Sequence, residues 1–232
     1  MVRRFSAIVF DLFGTLIPSM SATAFEHVLH NMADTLSADP TEFTKKWIYE
    51  TWEKRRTGAF KTVEENILYI CQSLGLKPDH QSLSRAADLR YDYSRSLLLN
   101  PRAHALETLN TLRLNGYKTG LLTNCSADIP HLWANTKLSS LIDAPVFSCS
   151  VGHVKPQPKS YHISAELLGV SPKSCAYVGD GSDRELTGAR QAGMYPILIT
   201  GAGRDPYDEQ LDRREWDGPI IKELDSLMPL LH

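Results

Sequence analysis

The residues best suited to chemistry in this 232-residue chain lie in four short stretches. Asp11 and Thr15 fall in FDLFGTL, Thr123 and Asn124 in LLTN, Lys155 in VKPQPKSY, and Gly179-Asp180 near the head of VGDGSDRELTGARQAG. Carboxylates can attack as nucleophiles or hold a hard cation. Hydroxyls and an amide can donate hydrogen bonds, and a lysine brings positive charge to an anionic group. Each stretch ends a run that reads as a strand, or sits in the loop after one. In open parallel sheets ligands bind outside the carboxyl ends of the strands, so these distant residues are expected on one edge.

The elements that must position them follow from patterning. Residues 5–10 (FSAIVF) form an apolar run suited to a strand buried on both faces, and Gly14 marks a tight turn. Residues 17–100 show helical spacing and almost no strand signal. Phe25, Val28, Leu29, Met32 and Leu36 share one helix face, Phe43, Trp47 and Ile48 begin a second, and Thr62 to Glu65 is a capping box before Val63, Ile67, Ile70 and Leu74. Gly75 stops that helix, and a further one runs through the 80s and 90s.

From Pro101 the rhythm alternates. A helix is expected to start at Pro101 and end near Asn115-Gly116, with strands at 117–122, 145–148, 175–178 and 195–200. Helices are expected at 161–168, at 182–192 and through the 220s. Repeated βα units imply an α/β fold: a Rossmann-like parallel sheet with helices on both faces, carrying an inserted helical bundle. The expected division is a core of residues 1–16 and 101–232 and a helical cap of residues 17–100.

The four stretches resemble, in order, the four motifs of the haloacid dehalogenase (HAD) superfamily. FDLFGTL is similar to a first motif that reads DxDGT in the family's phosphatases, and LLTN to a second with Ser or Thr at a strand end. VKPQPKSY is similar to the lysine-bearing third, and VGDGSDRELTGARQAG to the fourth, GDxxxxD followed by GAxxAG. Each motif alone is weak; four in order, from Phe5 to Thr200, are specific. The resemblance implies the HAD fold with a helical cap after the first motif, and a hydrolase that forms a covalent aspartyl intermediate. It makes Asp11 the nucleophile, with Thr123 and Lys155 as its catalytic partners. Gly14, Thr15 and Asn124 would contact substrate. Mg²⁺ would be held by Asp11, the Phe13 carbonyl and Asp180, and Glu185 would orient metal-bound water or hold Lys155.

Plainer roles are open to the same residues. Asp11 can end a strand, and Asp180-Gly181 can be a turn. Ser182 to Glu185 is itself a capping box. Tyr161 suits packing as well as substrate contact. Trp47, Trp52, Arg55, Arg56 and Tyr91 are candidates to face the site from the cap, and Arg55 or Arg56 could hold a carboxylate or phosphate by a bidentate contact, but helical Trp is usually core and a Lys-Arg-Arg run is usually solvated. His27 and His30 share a helix face without the partners that a metal site needs.

One position departs from the phosphatase pattern. A second Asp usually follows the nucleophile by two residues and transfers the leaving-group proton; here it is Phe13. Losing general acid–base catalysis costs roughly 10²–10⁴-fold in rate. Three readings follow. The first is a Mg²⁺-dependent phosphatase-type hydrolase of a small phosphorylated metabolite, with an undemanding leaving group or a proton from the cap. The second is a metal-independent 2-haloacid dehalogenase, whose family members carry an aromatic residue here. The third is a protein that binds a phosphometabolite without turning it over. Asp180 and Glu185 suit a cation, because buried acids without a counterion are costly, and favour the first.

Composition sets the wider bounds. With 42% hydrophobic and 22% charged residues a sizeable core is available, and a net charge of −2 leaves no general basic footprint for nucleic acid. Cys71, Cys125, Cys149 and Cys175 form no CxxC pair, so free thiols in a reducing, cytoplasmic setting are expected. Arg3 and Arg4 precede an apolar run, but Asp11 interrupts it, so neither a signal peptide nor a membrane span is expected. The expected partner is a small-molecule substrate, for a monomer or homodimer.

Overall fold

The first apolar run is buried along its whole length. In the computed structural model, which describes residues 3–201 and 211–231, Ala7–Phe10 forms strand β1 with all four residues buried. It lies in a parallel sheet with β2 (Lys118–Thr123), β3 (Ala144–Phe147), β4 (Cys175–Gly179), β5 (Tyr195–Ile199) and the short β6 (Ile220–Ile221). The order is β3-β2-β1-β4-β5-β6. The chain therefore winds outward from β1 in one direction and returns to add β4 on the other side. The crevice between β1 and β4 is the switch point where such sheets bind ligands.

Side chains on β1 alternate between two cores, as a strand's two-residue period requires. Ile8 and Phe10 join Leu121, Val178 and Ile197 on one face, and Ala7 and Val9 join Leu122, Tyr177 and Leu198 on the other. A third apolar core, built on Phe25, Leu29, Met32, Phe43, Trp47, Ile67 and Ile70, belongs to helices of the segment between β1 and β2. These helices are α1 (Ala22–Thr35), α2 (Pro40–Lys45), α3 (Trp52–Arg56), α4 (Val63–Ser73) and α5 (His80–Leu98). The expected caps form: Thr62 Oγ1 accepts from the Glu65 amide at 3.2 Å, and Gly75 leaves α4 with φ +73°. A π-turn over Lys46–Glu50, which the pattern did not show, joins α2 to α3.

The remaining helices flank the sheet: α6 (Ala105–Leu114), α7 (Asp128–Trp133), α8 (Ser148–Val151), α9 (Pro158–Leu167), α10 (Glu185–Gln191) and α11 (Leu211–Glu215). Three expectations need correction. The helix after Pro101 starts only at Ala105, because the Arg102 backbone amide bonds back to the Leu16 carbonyl at 2.9 Å. The 220s hold the edge strand β6 and two 3₁₀ turns, Leu224–Ser226 and Met228–Leu231, in place of an α-helix. The segment from Ser182 opens as a 3₁₀ turn with Asp183 and Arg184 in the left-handed region, and regular helix begins at Glu185. Among the described residues no helix is long and apolar enough to cross a membrane.

Candidate active site

The sheet brings together residues that lie far apart in the chain. Phe10 is in register with Val178 on β4 and Leu121 on β2, so Asp11, Thr123 and Asp180 all emerge at one edge. The Asp11 amide still bonds the Val178 carbonyl at 2.9 Å, which fixes the first residue beyond β1 against β4. Lys155 arrives from the loop after α8, and its ammonium lies 2.5 Å from Asp11 Oδ1 and 2.5 Å from Glu185 Oε2. Carboxylate oxygens of Asp11, Asp180 and Glu185 lie within 4.8 Å of one another, and all three residues are buried.

Three buried carboxyls gather beside the Lys155 ammonium. Burial, reinforced by the neighbouring carboxylates and opposed by Lys155, pushes Asp11 up to about 6 and Asp180 and Glu185 up to about 7. Burial would lower the Lys155 ammonium, but Asp11 and Glu185 outweigh it and hold it well above its ordinary range. A divalent cation would balance the fully ionised cluster. Mg²⁺ takes hard oxygen ligands of this kind, so the donor set fits it. The backbone is shaped for close approach as well. Gly14 has φ +76°, and a Cβ there would stand 2.4 Å from Asp180 Oδ2.

The neighbouring side chains hold this cluster in place. Glu185 accepts from the Tyr177 hydroxyl at 2.7 Å and from the Gly181 amide at 3.0 Å, so it does more than cap a helix. Tyr161 is fully buried and donates to the Glu185 carbonyl at 2.9 Å, which makes it a packing and positioning residue. Asn124 receives the Lys155 amide at 2.8 Å and donates to the Lys155 carbonyl at 3.1 Å and to Asp183 Oδ2 at 2.6 Å. Its amide is thus taken up in setting the Lys155 loop. Thr15 and Thr123 are fully buried, and neither hydroxyl bonds to another described residue. Buried hydroxyls are normally satisfied, so both suit an anionic ligand at this edge.

A cavity of about 280 Å³ reaches from Asp11 and Lys155 to the helical layer. Phe13 and Asn124 line it, together with Trp52, Arg55, Arg90 and Asp183. Gly14, Thr15, Thr123, Asp180 and Glu185 lie at the same sheet edge but are not among its lining residues. Trp47 is core of the helical layer, and Tyr91 turns its hydroxyl to Glu64 at 3.3 Å, so neither lines the cavity.

Arg55, one of the candidates from the cap, is buried and lines the cavity, although its Lys-Arg-Arg run reads as solvated. Three features escaped the sequence reading. Asp183 meets Arg56 at 3.3 Å, a contact between helical layer and sheet edge. Arg102 donates to the Gly14 and Thr15 carbonyls at 2.8 and 3.2 Å and so clamps the loop after β1. Arg90 on α5 pairs with Asp128 on α7 at 2.9 Å, and Ser94 and Ser126 complete the network. Burial would raise the Asp128 carboxyl, but Arg90 and the two serines hold it below its usual range. No local pattern announces partners brought together by tertiary packing.

A Rossmann-like sheet of order 3-2-1-4-5-6, with an acid cluster and one lysine at its carboxyl edge, defines an α/β protein with a candidate hydrolytic centre. The chain belongs to the haloacid dehalogenase-like hydrolases, whose family model matches residues 5–193. It is 32% identical over 229 residues to a phosphatase of Mycobacterium tuberculosis (97% of this chain, 96% of the relative). It is 28% identical over 211 residues to an (S)-2-haloacid dehalogenase of Xanthobacter autotrophicus (88% and 79%). The fold is shared with a HAD phosphatase from Thermococcus onnurineus, at a TM-score of 0.67, 22% identity and 97% coverage of both chains.

Proposed function

We propose that this hydrolase is a Mg²⁺-dependent phosphatase acting on a small phosphorylated metabolite. The observation that carries the reading is the gathering at the sheet edge of three buried carboxylates, Asp11, Asp180 and Glu185, whose oxygens lie within 4.8 Å of one another beside the Lys155 ammonium. Asp11, Asp180 and the Phe13 carbonyl would hold the cation, which supplies positive charge to the transferring phosphoryl group. Asp11, largely ionised at neutral pH, attacks phosphorus as the bond to the leaving oxygen breaks and that oxygen takes the electron pair. Water then cleaves the aspartyl phosphate and restores the carboxylate. Lys155 offsets the repulsion between nucleophile and phosphate, and Thr123 donates to a phosphoryl oxygen. Gly14, Thr15 and Asn124 border the phosphate, and Glu185 keeps Lys155 in place.

Phe13 offers no proton to the leaving group. Asp183, the other carboxylate that lines the cavity among the described residues, is engaged by Arg56 and Asn124 as an acceptor. The reading therefore favours leaving groups that depart as stable anions, such as acyl or aryl phosphates. Residues 17–100 would act as the cap that chooses the substrate over a core of residues 1–16 and 101–232. Phosphate release from acetyl phosphate and aryl phosphates should require Mg²⁺, stop with EDTA and stop in Asp11→Asn. Release that survives both changes rules the reading out.

Phe13 beside Asp11 favours a second reading, 2-haloacid dehalogenation, because halide leaves without a proton. Chloride release from 2-chloropropionate in EDTA would establish it in place of the first.

A further inference from the structure

We infer that Arg55 selects substrates that carry a carboxylate at the end remote from the reacting phosphate, joined to it by an apolar spacer. The inference rests on the phosphatase reading and adds the substrate class to it.

The charged groups lining the cavity are Asp11, Lys155, Asp183, Arg90 and Arg55 among the described residues. Asp11 is paired with Lys155, Asp183 with Arg56, and Arg90 with Asp128. Arg55 forms no ion pair with any described residue. It is only 5% exposed, its Nη2 donates to the Trp47 carbonyl at 2.6 Å, and its Nε has no hydrogen-bond partner among the described residues. The guanidinium lies over the rings of Trp47 and Trp52, with its carbon 4.8 and 5.1 Å from their centroids. Stacking offsets part of the cost of burying a cation and fixes the plane of the fork. It supplies no counter-charge. Burial, and then the nearby Arg90, lower the group to about 9 against the opposite pull of Asp128, which is itself paired with Arg90, so it remains a cation at neutral pH.

A desolvated, stacked and unpaired guanidinium in a cavity wall is built to receive an anion by a bidentate contact. A carboxylate brings one negative charge to match the one free positive charge; a second phosphate would bring about two at neutral pH. Phe13, Met20, Ile48 and Ile129 add apolar surface to the same lining, beside the polar Asn124, Ser126 and Ser182. That apolar part can receive an aliphatic or aromatic spacer.

The test compares 4-carboxyphenyl phosphate with its neutral isostere, 4-carbamoylphenyl phosphate, under Mg²⁺. The wild-type protein should show a KM about tenfold or more lower for the carboxylate, a difference within reach of one buried charge-assisted pair. Arg55→Gln should bring the KM ratio towards one, and Arg55→Lys should recover part of it; thermal melting reports whether each variant is folded. A wild-type ratio near one overturns the inference whatever the variants do, and so does an unchanged ratio in folded Arg55→Gln. Binding without turnover separates this outcome from failure of the phosphatase reading. 4-Hydroxybenzoate should perturb tryptophan fluorescence at lower concentration than 4-hydroxybenzamide in wild type but not in Arg55→Gln. Equal titrations with the two compounds overturn the inference even if phosphatase activity is present.

Discussion

Glu185 and Asp11 are held by a single ammonium: Lys155 Nζ lies 2.5 Å from a carboxylate oxygen of each. Removing the cation strands two buried acids beside Asp180. We expect Lys155→Met to destabilise the metal-free protein by roughly 3–5 kcal/mol, less whatever the acids recover by taking up protons. Activity should fall by at least about 10²-fold. Adding Glu185→Gln should restore part of the stability and none of the activity. Urea midpoints and phosphate release measure the two effects separately.

The raised acids set a pH dependence of definite sign. Between the unfolded values of about 4 and the folded values of about 6 for Asp11 and about 7 for Asp180 and Glu185, the native state binds more protons than the unfolded chain. These groups therefore weaken folding as pH rises through that window. Mg²⁺ needs them ionised, so its affinity rises over the same range. Thermal melts with and without excess MgCl₂ should show a larger metal-induced shift near pH 8 than near pH 5.5. Equal shifts would contradict the assignment of this cluster to the cation.

Phe13→Asp places a proton donor where the chain lacks one. Alkyl phosphate esters, with poor leaving groups, should gain up to about 10²-fold in kcat, while 4-nitrophenyl phosphate should change little. An equal effect on both esters would mean that leaving-group protonation does not limit this enzyme.

The Arg90–Asp128 pair joins α5 to α7 beneath the cavity wall. Asp128→Asn leaves a buried guanidinium without its counter-charge and should cost about 3–5 kcal/mol. A double-mutant cycle with Arg90→Met isolates the coupling, and additive losses would show that the pair contributes nothing jointly.

Much of this architecture can be read from residue order. Short runs rich in strand-forming residues marked β1, β2, β3, β4 and β5, and residues after β1, β2 and β4 meet at one edge. The rest depends on packing. The burial of Arg55 is created by Trp47 and Trp52 stacking on it, which a Lys-Arg-Arg run does not reveal. Ser182 to Glu185 spells a capping box, yet Gly181, Asp183 and Arg184 all take positive φ and hand the Glu185 carboxylate to Gly181 and Lys155. Two-residue β6 forms because β5 offers a free edge, with Leu198 and Ile199 in register with Ile220 and Ile221. A pair that short has no periodicity to detect.

Arg102 sits where the chain rejoins the sheet after the helical layer, and it is bonded through three contacts to Gly14, Thr15 and Leu16, where the chain departs. The outgoing and returning connections thus meet in one knuckle, a few residues from Asp11. Any rocking of the helices against the sheet would turn on that joint, so opening the cavity would mechanically load the segment that carries Asp11. Under the proposed function, entry of substrate and alignment of the nucleophile would share a fulcrum.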